Sequence, residues 1–319
     1  MLGTSAVWPV VAGAEKTIPV IAILGSGAAD APFSKKEMSL LEAGLRELGL
    51  LQGRDYTFET RWAGSDAERF PALATELLAG NPRAVVVSTN LAALAVQSRS
   101  RTVPIVGTGL NAPVAIGLAE SLAHPGGNVT GVASMAEDLE LKLFAMMRET
   151  LPGLRKVLAI TNPSNPSHPV MLDLLKQQAA KDGIAFDVAK VSAPADLEAL
   201  YAQMAQQRPD AVFVLSDNSV LALSDRIIAH ALALHLASFG SLVDSFAREG
   251  GLLAYSRDPR ESFRGVARLL KKILDGANPA ELPFEQPTKF NLFINLKSAK
   301  ELGIEIPAAL LATADEVIE

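Results

Sequence analysis

Pro209-Asp210-Ala211-Val212-Phe213-Val214-Leu215-Ser216-Asp217-Asn218, running into Ser219-Val220-Leu221-Ala222-Leu223, decides how this chain folds. Its weight comes from an earlier echo. Pro82-Arg83-Ala84-Val85-Val86-Val87-Ser88-Thr89-Asn90 runs into Leu91-Ala92-Ala93-Leu94-Ala95 in the same way. Each is a short β-branched run that ends in hydroxyl and amide residues and turns straight into an apolar helical pattern. Continuous apolar runs bounded like this suit strands buried on both faces of a parallel sheet. The Ser/Thr/Asn/Asp clusters suit the N-cap of the following helix, where free backbone N–H groups favour polar or anionic ligands. One such junction is ordinary α/β architecture. Two, well apart in the chain, predict two similar lobes whose strand ends face each other across a cleft.

The totals agree with two lobes. A chain of 319 residues is long for one core. It is 49% hydrophobic and 20% charged, a globular composition. A net charge of −6 argues against a nucleic-acid surface. The absence of cysteine removes disulfides, thiolate nucleophiles and Cys-ligated metals.

Outward from the two junctions, strands and helices alternate with short connections, the pattern of parallel sheets covered on both faces. Thr17 to Leu24, Tyr56 to Trp62 and Val103 to Gly107 read as further strands of the first lobe. Helices are predicted from Ser34 to Leu48 and from Asp66 to Ala79. His124-Pro125-Gly126-Gly127-Asn128-Val129-Thr130-Gly131 is dense in breakers and reads as the point where the chain leaves that lobe. The alternation then restarts, with strands at Lys156 to Thr161 and Ile184 to Val191. A helix follows the second junction to about His235, and a short strand covers Ala237 to Phe239. Ser256-Arg257-Asp258-Pro259 and Leu282 to Lys289 read as two further crossings, with a helix from Pro259 to Leu274 between them. Phe290 to Asn295 reads as a last strand, and Leu296 to Glu319 as mostly helical. The expected division is therefore 17–123 plus 256–286 for lobe I and 124–255 plus 287–319 for lobe II. Residues 1–14 read as a signal-peptide remnant: Leu2 to Val11 is a short apolar core, and Ala12-Gly13-Ala14 fits a cleavage site.

Open α/β sheets take ligands at the carboxyl ends of their strands. In lobe I that edge offers Ser26 and Gly27, then Ser88, Thr89 and Asn90, then Asn111. In lobe II it offers Asn162 and Asn165, then Ser216, Asp217 and Asn218, then Ser241. These loops are rich in hydrogen-bonding groups and poor in charge, which suits a neutral or zwitterionic small molecule. Asp217 either pairs with a ligand ammonium or simply caps its helix. Tyr255 either enters the cleft at the hinge or packs there. His168, in a Pro-rich loop, reads as solvated.

Other chemistries find little footing. Gly25-x-Gly27-x-x-Asp30 lacks the third glycine of a dinucleotide fingerprint, and the next strand ends near Arg61-Trp62 rather than on an acid. No Gly-x-Ser-x-Gly elbow, P-loop or His-Glu-x-x-His occurs. His230 and His235 lie about 140° apart around a helix and do not share a face. No catalytic residue, cofactor or metal is expected.

Several segments, taken in order, carry a resemblance. They are Leu45-Arg46-Glu47-Leu48-Gly49; Tyr56 to Ala63; His124 to Gly131; Asn162-Pro163-Ser164-Asn165-Pro166; Gln286-Pro287-Thr288-Lys289-Phe290; Ile294 to Gly303; and the tail Leu311 to Glu319. The chain resembles the tryptophan/tyrosine-type family of ABC-transporter substrate-binding proteins. That resemblance implies a periplasmic-binding-protein type I fold: two doubly wound parallel-sheet α/β lobes joined by a multi-strand hinge. It implies an exported, periplasmic protein without enzymatic activity. The two lobes would close over a small-molecule ligand and deliver it to an ABC permease in the inner membrane. A monomer with no nucleic-acid partner is expected. The loops contain no tryptophan, so an aromatic ligand would have to stack on Phe33, Phe239 or Tyr255.

Overall fold

The computed structural model describes residues 17–64, 66–241 and 244–319. The segment 1–14, read as a signal-peptide remnant, lies outside them. The first lobe is built from β1 (Val20–Gly25), α1 (Pro32–Glu47), β2 (Thr57–Trp62), α2 (Phe70–Ala79), β3 (Ala84–Val87), α3 (Asn90–Gln97), β4 (Ile105–Leu110) and β5 (Val129–Ala133). The second begins with α4 (Ala136–Thr150), β6 (Lys156–Thr161), α5 (His168–Lys181), β7 (Ala185–Lys190), α6 (Leu197–Gln207) and β8 (Ala211–Val214). It continues with α7 (Asn218–Leu221), α8 (Ser224–Ala233), β9 (Ala237–Gly240), α9 (Asp244–Arg248) and β10 (Leu253–Arg257). Then α10 (Pro259–Leu274) packs along α1, back on lobe I. The chain ends in lobe II with β11 (Phe290–Asn295), α11 (Leu296–Leu302), α12 (Ala308–Thr313) and β12 (Glu316–Ile318).

The two apolar runs occupy the interior of two sheets. Sheet order is β2-β1-β3-β4-β5 in lobe I and β12-β11-β10-β9-β8-β6-β7 in lobe II. Every pairing is parallel except β10 with β11. Both β3 and β8 are buried throughout. Strand side chains alternate between faces. Val85 and Val87 therefore join the core under α2 and α3, while Ala84 and Val86 face α1 and α10. In β8, Ala211 and Phe213 pack with α4 and α5, and Val212 and Val214 with α6 and α8. A run without polar alternation is what a strand needs when both faces are covered. Each fully buried Val or Phe of this kind contributes about 1.5–3 kcal/mol.

Three expectations need correction. The breaker-rich segment 124–131 does not carry the chain out of lobe I. The side chain of Asn128 donates to the carbonyls of Ser100 and Val103, at 2.9 and 2.7 Å, and lays β5 beside β4. The exit comes at Ser134-Met135, where Met135 takes a left-handed conformation with φ 54°. The helix after β8 is in two pieces, α7 and α8. The C-terminal tail is not all helical, because β12 adds a parallel edge strand to β11. The other two passages between sheets run through Asp258 and through 286–289. They are tied together: the Asp258 N–H donates to the Lys289 carbonyl at 3.0 Å, and Glu261 accepts from the backbone and hydroxyl of Thr288 and from the Lys289 N–H.

Candidate ligand-binding cleft

The carboxyl ends of the strands of both sheets converge on a cleft of about 640 Å³. Ser26, Gly27, Ser88, Thr89, Asn90 and Asn111 line it from lobe I. Asn162, Asn165, Ser216, Asp217, Asn218 and Ser241 line it from lobe II. Among the described residues the rims are joined where the Asn218 side-chain amide donates to the Ser26 hydroxyl at 3.1 Å.

Tyr255 is not in that lining. It is 5% exposed in the lobe II core, its hydroxyl accepting from Lys142 at 2.7 Å and its ring stacked on Phe290. Position 255 faces away because neighbours in a strand alternate: Ser256, not Tyr255, meets the cleft. Phe239 is likewise in the lobe II core. Of the three rings expected to stack on a ligand, only Phe33 lines the cleft, joined there by Phe70 and Phe263.

The lobe II rim is a closed network around Asp217. Its carboxylate accepts from the Ser219 and Val220 N–H groups, capping α7, and from the side-chain amides of Asn162 and Asn165. His168 is part of the same assembly and is not solvated. It is 1% exposed, its Nδ1 accepting from the Asn162 N–H at 3.0 Å. Its Nε2 lies 3.2 Å from the Ser216 carbonyl, so the neutral tautomer with the proton on Nε2 satisfies both partners. Burial pushes its pKa down. Beneath this rim Glu140, 1% exposed, accepts from the Ser216 N–H at 3.1 Å and the Ser241 hydroxyl at 2.5 Å. Its other oxygen is buried with no partner among the described residues. Burial pushes this carboxyl up to about 7, against the pull of those two hydrogen bonds.

Lobe I is arranged differently. Thr89 caps α3 through the Ala92 N–H. Asn90 both donates to and accepts from the Asn111 backbone, at 2.9 and 3.1 Å, and so fixes the loop after β4. Two charged groups that the strand-end reading missed stand in this half of the cleft. Arg257, at the end of β10, donates from Nε to the Ser262 hydroxyl at 3.2 Å and from Nη2 to the Thr108 carbonyl at 3.4 Å. Its guanidinium lies against Gly109, where a Cβ would come within 2.0 Å of Nη2. Glu37, on α1, lines the same space. Burial pushes its carboxyl up to about 7 and the charge of Arg257 pulls it back. The signal for Arg257 was present, as an arginine inside a predicted crossing. Glu37 sat unmarked in the helical run Lys35-Lys36-Glu37.

The Gly25-x-Gly27 pattern has a packing explanation. A Cβ on Gly25 would lie 2.1 Å from the Trp62 ring, and one on Gly27 would lie 2.9 Å from the Ser34 hydroxyl. Among the described residues no cluster of acids and histidines could hold a metal, and no helix is long and apolar enough to cross a membrane.

Two α/β lobes, three passages between them and a polar-rimmed cleft define a periplasmic-binding-protein type I fold. The chain belongs to the ABC transporter substrate binding protein family, whose sequence model matches residues 18–318. A tyrosine-binding protein of Clostridioides difficile strain R20291 is 20% identical over 262 residues, 82% of this chain and 74% of that protein. A conserved domain protein from Vibrio cholerae superposes with a TM-score of 0.86 at 27% identity, covering 94% of this chain and 99% of that one. An ABC domain from Streptococcus pneumonia in complex with L-Trp superposes with a TM-score of 0.85 at 22% identity, covering 95% and 100%.

Proposed function

We propose that this protein is the exported solute-binding component of an ABC importer. It takes a small carboxylate or zwitterionic solute with an apolar body between its lobes and passes it to a permease in the inner membrane. It makes and breaks no covalent bond. The observation that carries this reading is the cleft itself. Its rims come from the strand ends of two sheets, and one hydrogen bond, Asn218 to Ser26, already spans them. The walls supplied by Phe33, Leu40, Leu91, Leu139 and Leu221 give an apolar body somewhere to lie. Closure draws only on the difference in ligand affinity between open and closed forms. The L-Trp complex of the similar streptococcal domain and the tyrosine-binding relative make aromatic amino acids the first solutes to try. The test is calorimetry with amino acids and aromatic acids, paired with small-angle scattering. Binding should raise apparent stability by mass action and shrink the radius of gyration. Saturation without compaction would refute the closing hinge, and turnover of a bound compound would refute a purely binding role.

A further inference from the structure

We infer that Arg257 and Glu37 form the charged subsite of this cleft, with Arg257 taking the carboxylate of an α-amino acid and Glu37 its ammonium. The inference rests on the reading of the cleft as a solute site and names the groups that select the solute. Among the described residues, Asp217 and Glu37 are the acids that line the cleft. Asp217 already receives two backbone N–H groups and two side-chain amides, so little acceptor capacity remains for an ammonium. Glu37 accepts no hydrogen bond from any described residue and makes no ion pair with Arg257, although the two feel each other's charge. Lone burial of an acid is costly unless something pairs with it.

Arg257 is the complementary half. Two of its N–H groups are held by Ser262 and Thr108, which fixes the plane of the guanidinium. Nη1 donates to no described residue. A planar fork fixed at one edge and unspent at the other suits a carboxylate. Gly109 lets the fork sit against the loop after β4. Among the described residues, the remaining charges of the lining are Lys36 beside Glu37 and Arg248 on α9, the latter bonded to Glu316. Glu140 lies behind the opposite rim, and α10 turns Ser262 and Phe263 toward this end. Of these, Arg257 alone is close enough to shift Glu37. With its carboxyl near 7, Glu37 is about half protonated at neutral pH, and an arriving ammonium would expel that proton.

The experiment is titration calorimetry on the full chain in buffers of different ionisation enthalpy at pH 7. The probes are L-tryptophan, L-tyrosine and L-phenylalanine, with 3-phenylpropionate lacking the amine and phenethylamine lacking the carboxylate. Binding of an amino acid should release about half a proton. Glu37→Gln should abolish that release and weaken the amino acids by about 10- to 100-fold, with less than about a twofold effect on 3-phenylpropionate. Arg257→Lys, a second and conservative variant, should weaken the three amino acids and 3-phenylpropionate by about tenfold and spare phenethylamine. Equal losses for L-phenylalanine and 3-phenylpropionate in Glu37→Gln, or proton release that persists in it, would overturn the assignment. Wild-type protein that ignores all three amino acids would overturn it too. If that protein still compacts around another small solute, the solute-binding reading survives alone.

Discussion

The two strand-to-helix junctions look interchangeable in sequence, yet the structure uses them for different work. After β3, Ser88-Thr89-Asn90 is neutral: Thr89 caps the helix, and Asn90 reaches sideways to hold the loop after β4. After β8, Ser216-Asp217-Asn218 carries an acid that gathers the whole lobe II rim, while Asn218 reaches across to the other lobe. The acids of the two halves differ in the same way. Glu140 is sealed under the lobe II rim and bonded to it, whereas Glu37 faces the cleft of lobe I with no protein partner among the described residues. The lobe II rim is thus bonded mainly within itself, one Glu140 oxygen apart. Lobe I keeps its polar capacity open.

The sharpest way to break this contrast is Asp217→Ala. Four donors would lose their acceptor at once, two of them at the cap of α7. A loss of about 4 kcal/mol in unfolding free energy is expected. A chemical-denaturation loss below about 1 kcal/mol would show that Asp217 is an ordinary exposed cap and that the network around it is incidental.

Next in size is pH. Glu37 and Glu140 both titrate near 7 in the folded chain against an ordinary 4.5, so between those values the native state holds more protons than the unfolded chain. Stability should therefore fall as pH rises through this window, by roughly 3 kcal/mol for each carboxyl once it is fully ionised. Denaturation of Glu140→Gln measured from pH 4 to 8 should show its share of that slope removed. An unchanged slope would mean that Glu140 does not titrate in the window. Asn90→Ala is smaller: it frees the Asn111 loop by removing two hydrogen bonds and should cost about 1–2 kcal/mol. If it costs as much as Asp217→Ala, the two junctions are equals after all.

Hydrophobic periodicity made the sheets legible. The predicted helix over Pro259–Leu274 and the strand over Phe290–Asn295 are found at those bounds, because both segments have a strong pattern and clear stops. Strand ends also marked the polar rims of the cleft, since position at that edge follows from topology. What failed depended on long-range partners. Asn128 overrides its breaker-rich surroundings by bonding a loop far back in the chain. His168 is buried by an Asn162 N–H and a Ser216 carbonyl that no local pattern brings together. Tyr255 missed the cleft by one residue, which in a strand is the whole difference between faces. Glu37 was hidden on a helix, where a single acid among lysines looks like any solvated face.

The smallest expected effect is the most informative about motion. The Asn218–Ser26 hydrogen bond is a direct contact between the rims, and it exists only when the lobes are near each other. Ser26→Ala removes it without touching the Asp217 network or the charged pair. Neither lobe is held together by this bond, so denaturation of the ligand-free protein should be nearly unchanged. The closed form, however, loses about 0.5–1.5 kcal/mol relative to the open one. A ligand that binds by closing the lobes must make up that difference, so its affinity should drop by about 2- to 12-fold, mainly through faster dissociation. Asn218→Ala should give the same drop, and the double variant should add little, because both changes delete one interaction. Additive losses in the double variant would place each side chain on the ligand instead of on the other, and the rims would then meet only through what they hold.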